Sequence, residues 1–290
     1  MINYFPYQFK NIIIQLKSMK IFIDTADIDE IKEAMSWGIV DGVTTNPSLI
    51  KKSSGKKEME EYIKEICRIA GRGRDVSLEV ISLDADSMVR EAKILYDKFN
   101  SVAGNVVIKI PICSALDEAD KNRYEGLKAL SMLSKENIPT NATLVMKPEQ
   151  AILAAKNGAK YVSPFAGRLD DLLRDRAKIY GQFKDYKKED YFPFEGVKIN
   201  DKIIDDNGII SGVDLVREIV KIYKNYNFKT EVIAASIRNS RQVREIASTG
   251  VHIATVPFYV LKEMVYHQKT AEGIKKFLDD VVPEYRKLFE

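Results

Sequence analysis

Short apolar segments alternate with longer amphipathic segments along almost the whole chain, and this alternation limits the possible folds more than any other feature. The apolar segments are near-continuous hydrophobic runs, as expected of strands that are buried on both faces. The intervening segments place apolar residues three or four positions apart, which is the spacing of a helix that buries one face. Such alternation is typical of a parallel sheet, and about eight units of roughly 30 residues predict an α/β fold closed into a (β/α)8 barrel.

An open, doubly wound sheet is the alternative, but its usual dinucleotide fingerprint is missing because no G-x-G-x-x-G follows any predicted strand. The predicted barrel strands cover residues 20–24, 40–45, 76–81, 105–111, 138–145, 159–166, 230–237 and 251–257. The predicted helices cover 27–37, 57–71, a segment from 84 or 86 to 99, 121–136, a segment from 148, 169–180, 213–225, a segment from 239 or 240, 257–266 and 270–288.

One barrel domain accounts for most of the 290 residues, since single α/β barrels commonly run to about 250 residues. We assign residues 19–290 to this domain, and residues 1–18 to an N-terminal appendage or to an upstream start that is not used. Residues 181–208 form a polar, aromatic-rich insertion before the seventh strand. Loops of this length are uncommon unless they are functional or mobile. The insertion is therefore either a surface excursion or a lid or subunit contact.

Charge balance and the scarcity of metal-binding side chains argue against several classes of function. The 45 basic and 42 acidic residues are interspersed, whereas nucleic-acid binding needs clustered positive charge. No run approaches the roughly 18 apolar residues of a membrane span. Cys67, Cys113, His252 and His267 lack the spacing of a metal site or a disulfide framework. We expect a cytoplasmic protein without a metal, a nucleic-acid partner or a membrane partner.

In such a barrel the chemistry gathers at the C-terminal ends of the strands. The candidate functional side chains at or near these predicted strand ends are Asp24, Thr44, Thr45, Asn46, Glu79, Lys109, Asn141, Thr143, Ser163, Phe165, Arg168, Ser236 and Arg238. Lys109 is the most informative, because a charged lysine inside an apolar strand is costly to bury. A neutral buried amine can form an imine with a ketone and accept electrons during carbon–carbon cleavage. The alternative is a lysine that is paired with a carboxylate.

The other candidates have structural alternatives as well. Asp24 suits a general acid or base, although aspartate between a strand and a helix often caps the helix. Glu79 suits a residue that holds a catalytic water, or the counter-ion of the strand lysine. Arg168 and Arg238, with Ser236 and the start of the following helix, suit a phosphate site. Each arginine alone is more often surface charge.

Five segments together resemble the transaldolase family. They are KIFIDTAD at 20–27, DGVTTNPSLI at 41–50, VVIKIP at 106–111, YVSPFAGRLDD at 161–171 and AASIRN at 234–239. They occur in the family's order, and the resemblance runs from about residue 19 to at least residue 255. The joint match is much more specific than any single segment.

This resemblance implies a class I aldolase type of barrel that needs no organic cofactor. Lys109 would form a Schiff base with a ketose phosphate, and Asp24 would take the proton of the C4 hydroxyl as the C3–C4 bond breaks. The resemblance assigns water positioning to Glu79 and Thr143, hydroxyl binding to Asn46, Asn141 and Ser163, phosphate binding to Arg168, Ser236 and Arg238, and a wall of the site to Phe165. Sugar phosphates of the pentose phosphate pathway are the expected partners, and we also expect a homo-oligomer.

Two activities within the family compete. Transaldolases are similar to this chain at Glu79 and Phe165, where the related fructose-6-phosphate aldolases have Gln and Tyr, and Asn141 and Arg238 also favour transaldolase. The sequence therefore predicts transfer of a dihydroxyacetone unit rather than its release. A non-catalytic phosphosugar-binding barrel is a third hypothesis, which the costly buried lysine and carboxylates disfavour. The insertion at 181–208 departs from both the aldolases and the small transaldolases.

Overall fold

Eight parallel strands of the computed structural model form a closed barrel, so the predicted (β/α)8 fold is confirmed. The structure describes residues 18–55, 58–179, 187 and 189–290. The strands are β1 Lys20–Asp24, β2 Gly42–Thr44, β3 Asp75–Glu79, β4 Val106–Pro111, β5 Thr140–Val145, β6 Tyr161–Pro164, β7 Lys198–Ile199, β8 Lys202–Ile203, β9 Glu231–Ala234 and β10 Ile253–Val256. Strands β1–β6, β9 and β10 form the barrel, which closes where β1 pairs with β10.

Helices follow the barrel strands in the order that the alternating pattern predicts. They are α1 Ile28–Ser36, α2 Pro47–Ser54, α3 Met59–Ala70, α4 Ala85–Ala103, α5 Glu125–Lys135, α6 Pro148–Lys156, α7 Ala166–Arg176, α8 Gly212–Tyr226, α9 Ser240–Ala247, α10 Phe258–Val265, α11 Gln268–Asp279 and α12 Pro283–Arg286. Short 3-10 turns at Lys121–Tyr124 and Lys287–Phe289 precede α5 and follow α12.

Three helical regions differ from the sequence prediction. The sequence does not predict helix α2, because this short helix has little apolar periodicity. The Asn46 side chain caps α2, and Pro47 occupies its first turn. Helix α7 begins at Ala166 rather than at 169, directly after β6. The stretch 270–288 is divided between α11 and α12, and the second of these starts at Pro283, where a proline is compatible only with the first turn.

Alternation along the strands puts two layers of side chains inside the barrel. An apolar cluster of Phe22, Val107, Tyr161, Ile233 and Ile253 fills the N-terminal part. Because side chains two positions apart share one face of a strand, the next inward layer carries different residues. On four of these strands, the residue two positions further along is polar or charged: Asp24, Lys109, Ser163 and Thr255. A polar layer therefore lies on an apolar floor, at the C-terminal ends of the strands.

The insertion contains a small hairpin. Strands β7 and β8 pair in antiparallel fashion, and the linking residues Asn200 and Asp201 have φ values of 47° and 62°, as in a two-residue type I′ turn. Residues 181–186 and 188 of the insertion lie outside the described residues, as do residues 1–17, on which most of the predicted N-terminal appendage falls. Within the described ranges, no helix has both the length and the apolar character needed to cross a bilayer.

Candidate active site

A cavity of about 410 Å³ opens at the C-terminal ends of the barrel strands, where the sequence predicts the site. Eight of the eleven predicted site residues line it, namely Asp24, Asn46, Lys109, Ser163, Phe165, Arg168, Ser236 and Arg238. The other three, Glu79, Asn141 and Thr143, lie on β3 and β5, the strands that flank the lysine strand. The structure therefore brings all eleven to one end of the barrel.

Strand register places Lys109 between two polar neighbours. In the pairing of β3, β4 and β5, Glu79 lies opposite Lys109, and Lys109 lies opposite Asn141. Lys109 Nζ is 3.2 Å from Glu79 Oε2 and donates a hydrogen bond of 3.1 Å to the carbonyl of Thr45. The lysine side chain is only 6% exposed, yet it lines the cavity. Lys109 is thus paired with a carboxylate, as the structural interpretation of this lysine predicts. It also lines the cavity, as a nucleophile must.

Asp24 ends β1 and is coupled to the charge of Lys109. The hydroxyl of Thr44, its register partner on β2, donates a hydrogen bond of 2.7 Å to the Asp24 carboxylate. Burial raises the pKa of Asp24 above its ordinary value of 3.8; the Lys109 charge and the Thr44 hydrogen bond oppose this shift, and the Glu79 charge adds to it. The side chain of Asp27 caps α1. Asp24 is therefore not needed as a helix cap.

Amide and hydroxyl groups continue the polar layer beside the lysine. Ser163 Oγ donates a hydrogen bond of 2.7 Å to Asn141 Oδ1, and Asn141 Nδ2 is 3.4 Å from Ser77 Oγ. The buried hydroxyl of Thr143 has no hydrogen-bond partner among the described residues. Next to it, Leu144 has a φ of 57°, where the pairing of β5 with β6 shifts register. Backbone strain of this kind often accompanies functional sites.

Arg168 and Arg238 form the cationic side of the cavity. Arg168 lies in the first turn of α7 rather than in the strand-end loop, and its guanidinium carbon is 5.3 Å from the centroid of the Phe165 ring. A Cβ on Gly167 would lie 2.1 Å from the carbonyl oxygen of Ser236 and 2.6 Å from Arg238 Nε. Only glycine therefore lets α7 approach the loop after β9 closely enough to bring the two arginines together.

Several residues that line or support the site were not found by sequence reasoning. Lys52, Glu189 and Tyr259 line the cavity, and the Asp171 carboxylate forms an ion pair with Arg238. Lys52 lies on the unpredicted helix α2, and Glu189 lies in the insertion, where no pattern indicates a position in space. The feature of the sequence that could have indicated Asp171 is the pair of adjacent acidic residues at the end of the segment YVSPFAGRLDD.

Comparison with known proteins identifies the family. The family model for Transaldolase/Fructose-6-phosphate aldolase matches residues 21–289. A "Probable transaldolase" of Caldicellulosiruptor saccharolyticus is 46% identical over 263 residues, which cover 90% of this chain and 96% of the relative. Proteins of the same description from Methanococcus maripaludis and Thermoplasma volcanium are 45% and 43% identical, each over 90% of this chain and over 97% and 95% of the relative. The chain therefore belongs to the transaldolase/fructose-6-phosphate aldolase family.

Proposed function

We propose that this protein is a transaldolase that transfers a dihydroxyacetone unit from sedoheptulose 7-phosphate or fructose 6-phosphate to an aldose phosphate. The main observation behind this proposal is the position of Lys109. Its buried Nζ lies 3.2 Å from Glu79, in the wall of a cavity that Asp24 and two arginines also line. A barrel that only binds phosphosugars would not need these buried ionisable groups, which are costly to bury. Family membership supports the same chemistry.

The first step joins the ketose to Lys109. The neutral amine attacks the C2 carbonyl carbon, and loss of water from the resulting carbinolamine gives an iminium. One proton must leave the nitrogen and another must reach the departing hydroxyl group. Glu79 lies 3.2 Å from the nitrogen, and the Thr143 hydroxyl is buried without a partner among the described residues. These two groups are suited to hold a water molecule that carries the protons.

The second step breaks the C3–C4 bond. Asp24 takes the proton of the C4 hydroxyl, and the electrons of the breaking bond move into the iminium, which becomes an enamine as an aldose phosphate is released. The enamine carbon C3 then attacks the aldehyde carbon of the acceptor, and Asp24 returns the proton to the new hydroxyl. Hydrolysis of the second iminium releases the product ketose and restores the amine.

The remaining residues bind the two ends of the sugar. We assign the hydroxyls of the three-carbon unit to Asn46, Asn141 and Ser163, and the phosphate to Arg168, Ser236 and Arg238. Guanidinium groups suit the phosphate because they can donate two parallel hydrogen bonds. Exchange of sugar carbon units of this kind belongs to the pentose phosphate pathway, and the free cysteines Cys67 and Cys113 accord with a reducing cytoplasm.

Phe165 favours transfer over release of the three-carbon unit. A tyrosine hydroxyl at this position could donate a hydrogen bond to a water molecule in the cavity, which could then protonate the enamine. The phenylalanine ring cannot, and Arg168 covers it from one side. An enamine that has no proton donor next to C3 persists until an acceptor arrives. The second candidate function, a fructose-6-phosphate aldolase, would instead release free dihydroxyacetone.

A coupled assay with fructose 6-phosphate, with and without erythrose 4-phosphate, tests the proposal. We expect glyceraldehyde 3-phosphate to appear only when the acceptor is present, together with an equal amount of sedoheptulose 7-phosphate. Glyceraldehyde 3-phosphate and free dihydroxyacetone without an acceptor would establish the aldolase instead. The absence of any product under both conditions would contradict both activities.

We also propose that copies of this chain assemble through the C-terminal helices. No residue of α11 is buried, although Phe277 and Leu278 are 73% and 62% exposed. Beside it lies an apolar groove of about 660 Å³ between Trp37 and Ile274. Contiguous exposed apolar surface often marks an interface, and an apolar groove beside the apolar face of an exposed amphipathic helix suits contact between two copies of the same chain.

Light scattering after size exclusion tests this assembly. We expect a mass that is a multiple of 33.0 kDa, and a shift towards a single chain in Phe277→Glu, because a charge on the apolar face cannot be buried without a partner. The matched control is Gln268→Glu, which adds the same single negative charge at another exposed position of α11. A wild-type mass of one chain would contradict the proposed assembly.

A further inference from the structure

Two adjacent carboxylates on α7 hold Arg238 at two points. Asp171 Oδ2 lies 2.9 Å from Arg238 Nη2. Asp170 acts through Gln242: the backbone N–H of Arg238 donates to Gln242 Oε1, and Gln242 Nε2 donates to Asp170 Oδ2, both at 2.8 Å. The backbone and the guanidinium of Arg238 are therefore both attached to α7, the helix that also carries Arg168.

The other carboxylate oxygen of Asp171 forms an ion pair with Arg174, an arginine that also contacts the insertion. Arg174 Nη1 lies 3.2 Å from Asp171 Oδ1, and the Arg174 side chain is only 1% exposed. Its Nη2 donates a hydrogen bond of 2.6 Å to the carbonyl of Asp190, and its guanidinium carbon lies 5.4 Å from the centroid of the Phe192 ring. Asp190 and Phe192 belong to the insertion, so this segment sets the place of Arg174.

The same segment of the insertion is attached to α9, the helix that follows Arg238. Asn239 caps α9, and its Nδ2 donates a hydrogen bond of 3.0 Å to the carbonyl of Glu189. The hydroxyl of Tyr191 donates a hydrogen bond of 3.0 Å to Glu245 Oε1, near the end of the same helix. Residues 189–192 therefore connect α7 with α9, on either side of the cationic wall.

We propose that Asp171 is a positioning residue for phosphate recognition by Arg238, and that the insertion segment 189–192 fixes Asp171 through Arg174. The ion pair uses one guanidinium nitrogen of Arg238, Nη2, and Arg238 lines the cavity, so the pair holds the guanidinium where a phosphate oxygen can reach it. The inference rests on the phosphate site of the proposed function and gives the insertion a role in it.

Asp171→Asn is the direct test of this positioning role. The variant removes the Asp171 charge from beside the buried Arg174 and frees the Arg238 guanidinium to rotate. We expect the dissociation constant of inorganic phosphate, measured by phosphorus NMR titration, to rise about tenfold to 100-fold, as for loss of one charged hydrogen bond. The KM for fructose 6-phosphate should rise by a similar factor while kcat stays within about twofold. Borohydride trapping of unphosphorylated dihydroxyacetone on Lys109 should not change.

Asp175→Asn is the matched control, since it removes the same charge from an exposed position one turn further along α7. Arg174→Lys is the second variant. It keeps the positive charge beside Asp171 but cannot make both of the guanidinium contacts, so a severalfold rise of the dissociation constant is expected. Thermal unfolding of each variant checks that it is folded, and Arg174→Lys tests the proposal if Asp171→Asn does not fold.

Equal or tighter phosphate binding by folded Asp171→Asn or Arg174→Lys would overturn the proposal, because Asp171 would then be only a counter-ion that competes with the ligand. A wild-type protein that binds no phosphate would overturn it as well. A wild-type protein that binds phosphate but forms no trapped adduct with dihydroxyacetone would contradict the proposed catalysis alone. In that case the phosphate titration still decides the role of Asp171.

Discussion

Lys109→Met is expected to abolish the covalent trapping of fructose 6-phosphate by borohydride and to lower turnover by about 10³-fold or more, since the nucleophile acts in both halves of the reaction. Methionine has a similar length and no charge, so it fills the same position in the apolar strand β4. Mass spectrometry of the reduced protein measures the adduct directly. The wild-type protein should gain the mass of a bound sugar, and the variant should gain none.

Lys52→Met is the control for this experiment. Lys52 is a second lysine in the cavity wall, on the exposed helix α2, and so tests whether any nearby amine can react. We expect Lys52→Met to keep the trapped adduct. An adduct that persists in Lys109→Met would show that another amine is the nucleophile, and peptide mapping would then identify Lys52 or a different lysine.

The barrel was predictable because its signal lies in the local sequence and is repeated eight times. In β4, for example, the run VVIKIP is apolar apart from Lys109, and alternation along the strand puts Lys109 on the same face as Val107. Val107 belongs to the apolar cluster inside the barrel. A lysine two positions further must therefore also point inwards, so the face of Lys109 follows from the sequence once the direction of Val107 is known.

Contacts between distant segments could not be predicted in the same way. The sequence names Glu79 as a candidate counter-ion of Lys109, but their pairing depends on strand register, which the local pattern of either strand leaves open. The attachment of Asp190 to Arg174 depends on the path of the insertion, which has no periodicity to read. The family resemblance supplied eight of the residues that line the cavity, but not Asp171, whose partners Arg238 and Asp190-bound Arg174 are set by contacts between distant segments.

Asp24→Asn is expected to separate imine formation from bond cleavage. The amide keeps the size of the side chain but cannot take the C4 proton, so kcat should fall by about 10² to 10⁴-fold, as for loss of a general base. Imine formation at Lys109 needs no such base, and trapping should continue. Borohydride with fructose 6-phosphate should then yield the intact six-carbon phosphorylated adduct in Asp24→Asn, whereas the wild-type protein should also yield a three-carbon adduct.

The pH dependence gives a second measure of the same role. Asp24 must be ionised to accept a proton, so turnover should fall as the pH falls through its pKa. Burial raises this pKa above 3.8, and the acid limb of the kcat profile should therefore lie above that pH. The residual activity of Asp24→Asn should lack this limb.

Asp29→Asn is the matched control, because it removes the same charge from an exposed position in the first turn of α1. It should keep both the three-carbon adduct and the acid limb. If Asp24→Asn still forms the three-carbon adduct at the wild-type rate, another group takes the C4 proton. Glu79, the carboxylate 3.2 Å from Lys109 Nζ, would then be the candidate base, and its proposed part in holding the water would have to be reassigned.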